Sequence, residues 1–177
     1  MRIYIRSIAA AILAVVFISN SALVKASDQS DVRATVQNVF EQLKSRNYDA
    51  LYDFLPGASR NRMSRDRFVN ALQRAQDFYH LDRIEIGAIK VAGNLAVVDT
   101  VLYGRVVNPI QADGKIVVQQ YLLREDGKWR VATGDQSTVR KFLAANTKFS
   151  KQFRIQQPRV YIKQGDKWVE FNPGNRR

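Results

Sequence analysis

The sequence predicts an α+β fold, with helices first and an antiparallel sheet after them. Three observations carry that expectation. Apolar residues recur at helical spacing in three stretches between Ser27 and Tyr79, and beyond His80 the apolar period drops to two. Turn pairs then punctuate the chain at Gly93-Asn94, Asp126-Gly127 and Gly165-Asp166, so successive strands connect as hairpins rather than through crossover helices. Helices segregated from an antiparallel sheet define the class.

The first 26 residues read as a cleaved export signal. Arg2 and Arg6 form a basic start, an apolar run spans Ile8 to Ile18, and Val24-Lys25-Ala26 places small residues before Ser27. The run is short of the ~20 apolar residues of a membrane span, although an uncleaved anchor helix is the alternative. No cysteine is present, so a lipoprotein anchor is excluded. After processing, no transmembrane span is expected.

The first helix is expected over Ser27–Arg46, with Val32, Val36, Val39, Phe40 and Leu43 on one stripe and Asp28, Ser30 or Asp31 as cap. Asn47 breaks it. "YDALYDFLP" predicts a short second helix ended by Pro56-Gly57. Ser64 caps a third, "SRDRFVNALQRAQDFY", whose stripe is Phe68, Leu72, Ala75 and Tyr79, and Asp66 in its first turn suits the helix dipole. Strands follow at Arg83–Val91, Leu95–Val107, Lys115–Arg124 and Lys128–Thr133, with Asn108-Pro109 and Asp113-Gly114 bracketing a loop. A helix at Ser137–Asn146 and a hairpin of Phe153–Ile162 with Lys167–Phe171 complete the chain. The expected organisation is therefore a leader (1–26), an α+β domain (27–135) and a helix-hairpin segment (136–177) packed on the same domain.

The second strand is apolar on both faces: Leu95, Val97, Val101 and Tyr103 alternate with Ala96, Val98, Leu102 and Val106. An antiparallel strand normally shows water one face, so something must cover the second side. Either the C-terminal segment or the twofold partner of a homodimer would do so.

"VFEQLKSRNYDALYDFL" and the strand end "DGKWRVATGD" resemble the nuclear-transport-factor-2-like (ketosteroid-isomerase-like) superfamily over about Asp28 to Asp135. The resemblance implies a cone: a strongly curved sheet wrapped around the three helices, with a pocket at its open end. Members include isomerases, dehydratases, cyclases, transport factors and non-catalytic binding domains, and fold alone does not choose among them. The ketosteroid-isomerase pattern places a tyrosine on the first helix, where this chain has Gln37, Phe40 and Gln42, so none of those catalytic residues carries over.

A net charge of +12, to which Arg2, Arg6 and Lys25 of the leader contribute, implies attraction to polyanions. Export makes nucleic acid the least fitting of these, and no nucleic-acid partner is expected. Absent cysteines and absent glycosylation acceptors fit a bacterial periplasm or exterior. With His80 as the only histidine, a Cys- or His-rich metal site is excluded, and no Gly-x-Ser-x-Gly, Walker or Gly-x-Gly-x-x-Gly motif occurs. Neither metal nor cofactor is expected. His80 reads as a loop residue at a helix-strand junction.

Asp99 is the candidate catalytic group, because its strand neighbours are apolar and a desolvated carboxylate must be paired or protonated. Its structural alternative is a pair with Arg105 or a basic residue on a neighbouring strand. Tyr48, Tyr52, Tyr79, Asp99, Tyr103, Tyr121 and Trp129 are the candidate pocket residues. Trp129, like Trp168 in the echoing "KQGDKWVEF", reads alternatively as a core anchor behind a tight turn. Arg60, Arg62, Arg65, Arg67 and Arg74 form a candidate anion site, or simply a solvated helix entry. The functional expectation is an exported, non-catalytic binding domain with a partly apolar pocket for a small molecule or an anionic envelope component. The alternatives are a cofactor-free lyase or isomerase using Asp99 with a tyrosine, and a polyanion binder using the Arg60–Arg74 patch.

Overall fold

The computed structural model describes residues 27–108, 111–132 and 136–171, with backbone only at 136–138. The leader, Pro109, Thr133 and residues 172–177 lie outside the described residues. The architecture is α+β. Helices α1 (27–44), α2 (Tyr48–Tyr52), α3 (Gly57–Arg60) and α4 (Arg65–Ala75) precede strands β1 (Tyr79–Ala92), β2 (Leu95–Val106), β3 (Ala112–Glu125) and β4 (Lys128–Val131). Helices α5 (Gln136–Ala145) and α6 (Thr147–Gln152) follow, then β5 (Arg159–Gln164) and β6 (Lys167–Glu170).

All six strands belong to one antiparallel sheet in the order β1-β2-β3-β5-β6, with β4 also on β3. Strand β3 pairs with β2 along one edge and divides its other edge. Leu122–Glu125 holds β4, and Gly114–Val117 holds β5. The C-terminal hairpin thus extends the main sheet.

Local chemistry explains most boundaries. Arg46 takes a left-handed φ of 60°, which ends α1, and Asn47 N–H donates back to the Gln42 carbonyl. Ser64 accepts from the Arg67 N–H as the N-cap of α4. Asp126 and Gly127 have φ of 50° and 73°, the two positive values that a tight hairpin turn with the right twist needs.

Several boundaries differ from the sequence reading; the strand expected over Phe153–Ile162 begins only at Arg159, after the unexpected α6. Pro56 caps the one-turn α3 instead of closing a helix, since a residue without N–H is tolerated where a first turn has no use for the donor. Tyr79 leaves the third helix and, with His80, opens β1, where the two pair with Val106 and Arg105, so His80 is a strand residue rather than a loop residue. Asp113-Gly114, a turn by local composition, lies inside β3, where Gly114 faces Gly104 on one side and Ile162 on the other.

The core has two halves, one on each face of the sheet. On the first face, Val32 and Val36 of α1 pack on Ala96, Val98, Leu122, Trp129 and Val131. On the second, Val97, Tyr121 and Ala132 pack with Phe142 of α5 and Phe149 of α6. Phe142 sits between Tyr121 and Phe149, with ring centroids at 5.7 and 6.1 Å. Each buried phenylalanine contributes about 2–3 kcal/mol of transfer free energy. The two apolar sides of β2 are therefore served by different ends of the chain.

Candidate functional site

Two cavities flank the sheet. The first, about 260 Å³, lies between the first face and the helices, walled by Val39 and Leu43 of α1, Phe54, Phe68 and Leu72, with Leu102 and Gln120 on the sheet. Gln120 is its one polar lining side chain, and its amide N–H₂ donates to Thr100 Oγ1 at 3.4 Å. Thr100, itself buried, donates its hydroxyl to the Val118 carbonyl at 2.7 Å.

The second cavity, about 230 Å³, lies on the opposite face under α5 and the segment Ile155–Pro158. Its floor is a polar knot centred on Gln119, which is only 4% exposed. Gln119 Nε2 donates to Asp99 Oδ1 at 2.8 Å and to the Arg154 carbonyl at 3.2 Å. Its Oε1 accepts from Tyr121 Oη at 3.2 Å and from the Gln156 N–H at 2.9 Å. All four hydrogen-bonding positions of the amide are filled, so its orientation is determined and the 154–156 segment is pinned to the sheet. Burial, and secondarily the nearby Asp99 charge, push the Tyr121 hydroxyl pKa up.

Asp99 is thus held by a neutral amide. Among the described residues no cation pairs with it, and Arg105 lies elsewhere, opposite His80 and Asp113 in the ladder. The basic partner expected from the sequence is replaced by Gln119 because Asp99 and Gln119 are directly opposite in register.

The candidate aromatic residues are dispersed. Tyr121 lines the second cavity, whereas Tyr48, Tyr52, Tyr79, Asp99 and Trp129 line neither. Tyr48 is buried; Tyr79 is half-buried, and burial first, with Tyr48 beside it, pushes its pKa up. Tyr52 donates to the Met63 and Arg60 carbonyls at 2.8 and 3.1 Å, tying the α3–α4 loop to α2. Trp129 is a core residue under the Arg124 guanidinium, which also pairs with Asp28. Tyr103 donates to Glu85 at 3.1 Å at the far end of the sheet.

The arginine cluster is also divided. Arg65 pairs with Asp53 at 2.7 Å and Asp49 at 3.4 Å and lies 4.6 Å over the Tyr52 ring. The Arg65 hydrogen bond, supported by Arg60 and Arg130 nearby, holds the Asp53 carboxyl below the usual range. Arg62, Arg67 and Arg74 are exposed and make no ion pair among the described residues, while Arg60 is half-buried. His80 Nδ1 lies 3.1 Å from Arg46 Nη2.

Gln119 is the site residue that sequence reasoning missed. Its signal was "IVVQQYLL", two adjacent amides inside an apolar strand, one directed to each face. Among the described residues no group of three metal-ligating side chains occurs, and no helix is long and apolar enough to cross a membrane.

No family model matches the chain, and no curated protein sequence matches it. Among solved structures, it is similar to the solution structure of a SEC-C motif containing protein from Rhodopseudomonas palustris. The two share 10% identity with a TM-score of 0.47, over 58% of this chain and 75% of that one.

Proposed function

We propose that this protein is an exported, non-catalytic binding domain that takes a small, largely apolar molecule into the cavity between α1, α2, α4 and the first sheet face. In this reading residues 1–26 direct export, and the helices sit in the curved sheet as in nuclear-transport-factor-2-like cones. The carrying observation is the lining: about 260 Å³ walled by apolar side chains, with Gln120 alone to meet a polar group. An apolar cavity favours an apolar occupant over water, and a single convergent amide orients it.

Two facts weigh against the alternatives. Asp99 projects from the opposite face and is bound to Gln119, so it does not meet a molecule in this cavity. Arg65, at the centre of the arginine patch, is already matched by Asp49 and Asp53.

The test is titration with the neutral apolar fluorophore N-phenyl-1-naphthylamine. Saturable binding is expected, weakened about tenfold or more in the cavity-filling variant Val39→Phe/Leu72→Phe, which adds volume where the ligand sits. Binding of equal strength in that variant, or none in the wild type, overturns the proposal. Mass spectrometry of material co-purified from the native host would then name the ligand.

A further inference from the structure

Beyond α5 and α6, the second face of the sheet curls into an open groove. Trp168 on β6 and Tyr103 on β2 have ring centroids 6.2 Å apart, although β3 and β5 lie between their strands. In a flat sheet three strand spacings would separate them by about 14 Å. The β5–β6 hairpin therefore folds back across the sheet. The groove it bounds has a volume of about 410 Å³ and is walled by Arg105, Lys163, Asp82, Asp113, Tyr103 and Trp168. Gly104 lines it too, where a Cβ would lie 2.3 Å from the His80 carbonyl oxygen.

The chemistry of the walls is mixed in a particular way. Arg105 and Lys163 are exposed and make no ion pair among the described residues, whereas Arg83 at the same groove is engaged by Glu85. Asp82 and Asp113 are exposed, and a carboxylate accepts hydroxyl hydrogen bonds. Trp168 stays 37% exposed, with the Lys115 ammonium 4.7 Å from its ring centroid.

We propose that this groove binds a sugar acid unit of an anionic polysaccharide, its carboxylate on Arg105 and Lys163, its hydroxyls donating to Asp82 and Asp113, and its C–H surface against Trp168. Complementarity supports this occupant: Arg105 and Lys163, neither in an ion pair among the described residues, match a carboxylate, and Asp82 and Asp113 match hydroxyl donors. A single-stranded nucleic acid fits less well. A phosphodiester chain offers no hydroxyl donors to Asp82 and Asp113, whereas a sugar unit offers several.

The experiment is calorimetric titration of the full chain with a galacturonate hexamer, in about 150 mM salt so that long-range attraction is screened. A neutral glucan hexamer and a thymidine oligonucleotide serve as competitors for the assignment. Saturable uronate binding is expected, with neither competitor matching it. Lys163→Gln and Arg105→Gln, surface changes that leave the fold intact by circular dichroism, should each weaken it about tenfold, the usual effect of losing a charge-assisted contact. Trp168→Ala should weaken it as well. Lys128→Gln, the same charge change at the start of β4, beside the far end of β3, should leave affinity unchanged. Absent uronate binding, tighter binding of the oligonucleotide, or equal loss in Lys128→Gln would each overturn the proposal.

Discussion

Replacing Gln119 with leucine removes the knot that joins the second sheet face to the 154–156 segment while keeping nearly the same volume. Three of the lost bonds are neutral: those to Tyr121 Oη, the Arg154 carbonyl and the Gln156 N–H. Each contributes about 1 kcal/mol net, and the bond to the Asp99 carboxylate contributes about 2 kcal/mol. Arg154 and Gln156 are exposed and recover water, whereas Tyr121 is 3% exposed. The leucine methyl groups return about 1 kcal/mol of burial. The expected net loss is about 3 kcal/mol, or roughly 6–12 °C in Tm at the usual sensitivity for a domain of this size. Thermal and urea melts of wild type and Gln119→Leu read this directly. A Tm within about 2 °C of wild type would show that the amide is not the hub described, because that shift corresponds to under ~1 kcal/mol.

Asp99→Asn keeps an acceptor for Gln119 Nε2 and should cost only about 1 kcal/mol in urea melts. A loss of ~3–5 kcal/mol would instead reveal an orphaned buried cation. Gly104→Ala forces a Cβ against the His80 backbone at 2.3 Å, so β1 must shift, and a loss of about 2 kcal/mol or more is expected in the same assay. An unchanged melt would show that the close β1–β2 approach is wrong. Asp53 has a folded pKa below its unfolded value of about 3.9, so its contribution is present above that value and is lost as pH falls through the folded one. Asp53→Asn should therefore flatten the fall in Tm between about pH 4 and pH 2 relative to wild type; parallel curves would contradict the Arg65 assignment.

Several features were legible in the sequence because they depend on short spacings. The α1 stripe of Val32, Val36 and Phe40, the Ser64 cap and the Asp126-Gly127 turn each rest on a few adjacent residues whose backbone preferences agree. The double-sided apolar pattern of β2 also announced that two layers must cover it, since side chains alternate strictly between faces.

Tertiary structure decided the rest. Tyr79 continues a helical pattern locally and His80 reads as a loop residue, yet pairing with Val106 and Arg105 draws both into β1. Asp113-Gly114 looks like a turn until Gly104 and Ile162 flank it. Gln119 gathers Asp99, Arg154 and Gln156, partners 20 to 37 residues away, and no local periodicity encodes such a meeting. Likewise, Trp168 meets Tyr103 only because the sheet curls, and curl accumulates over four strands rather than residing in any one of them.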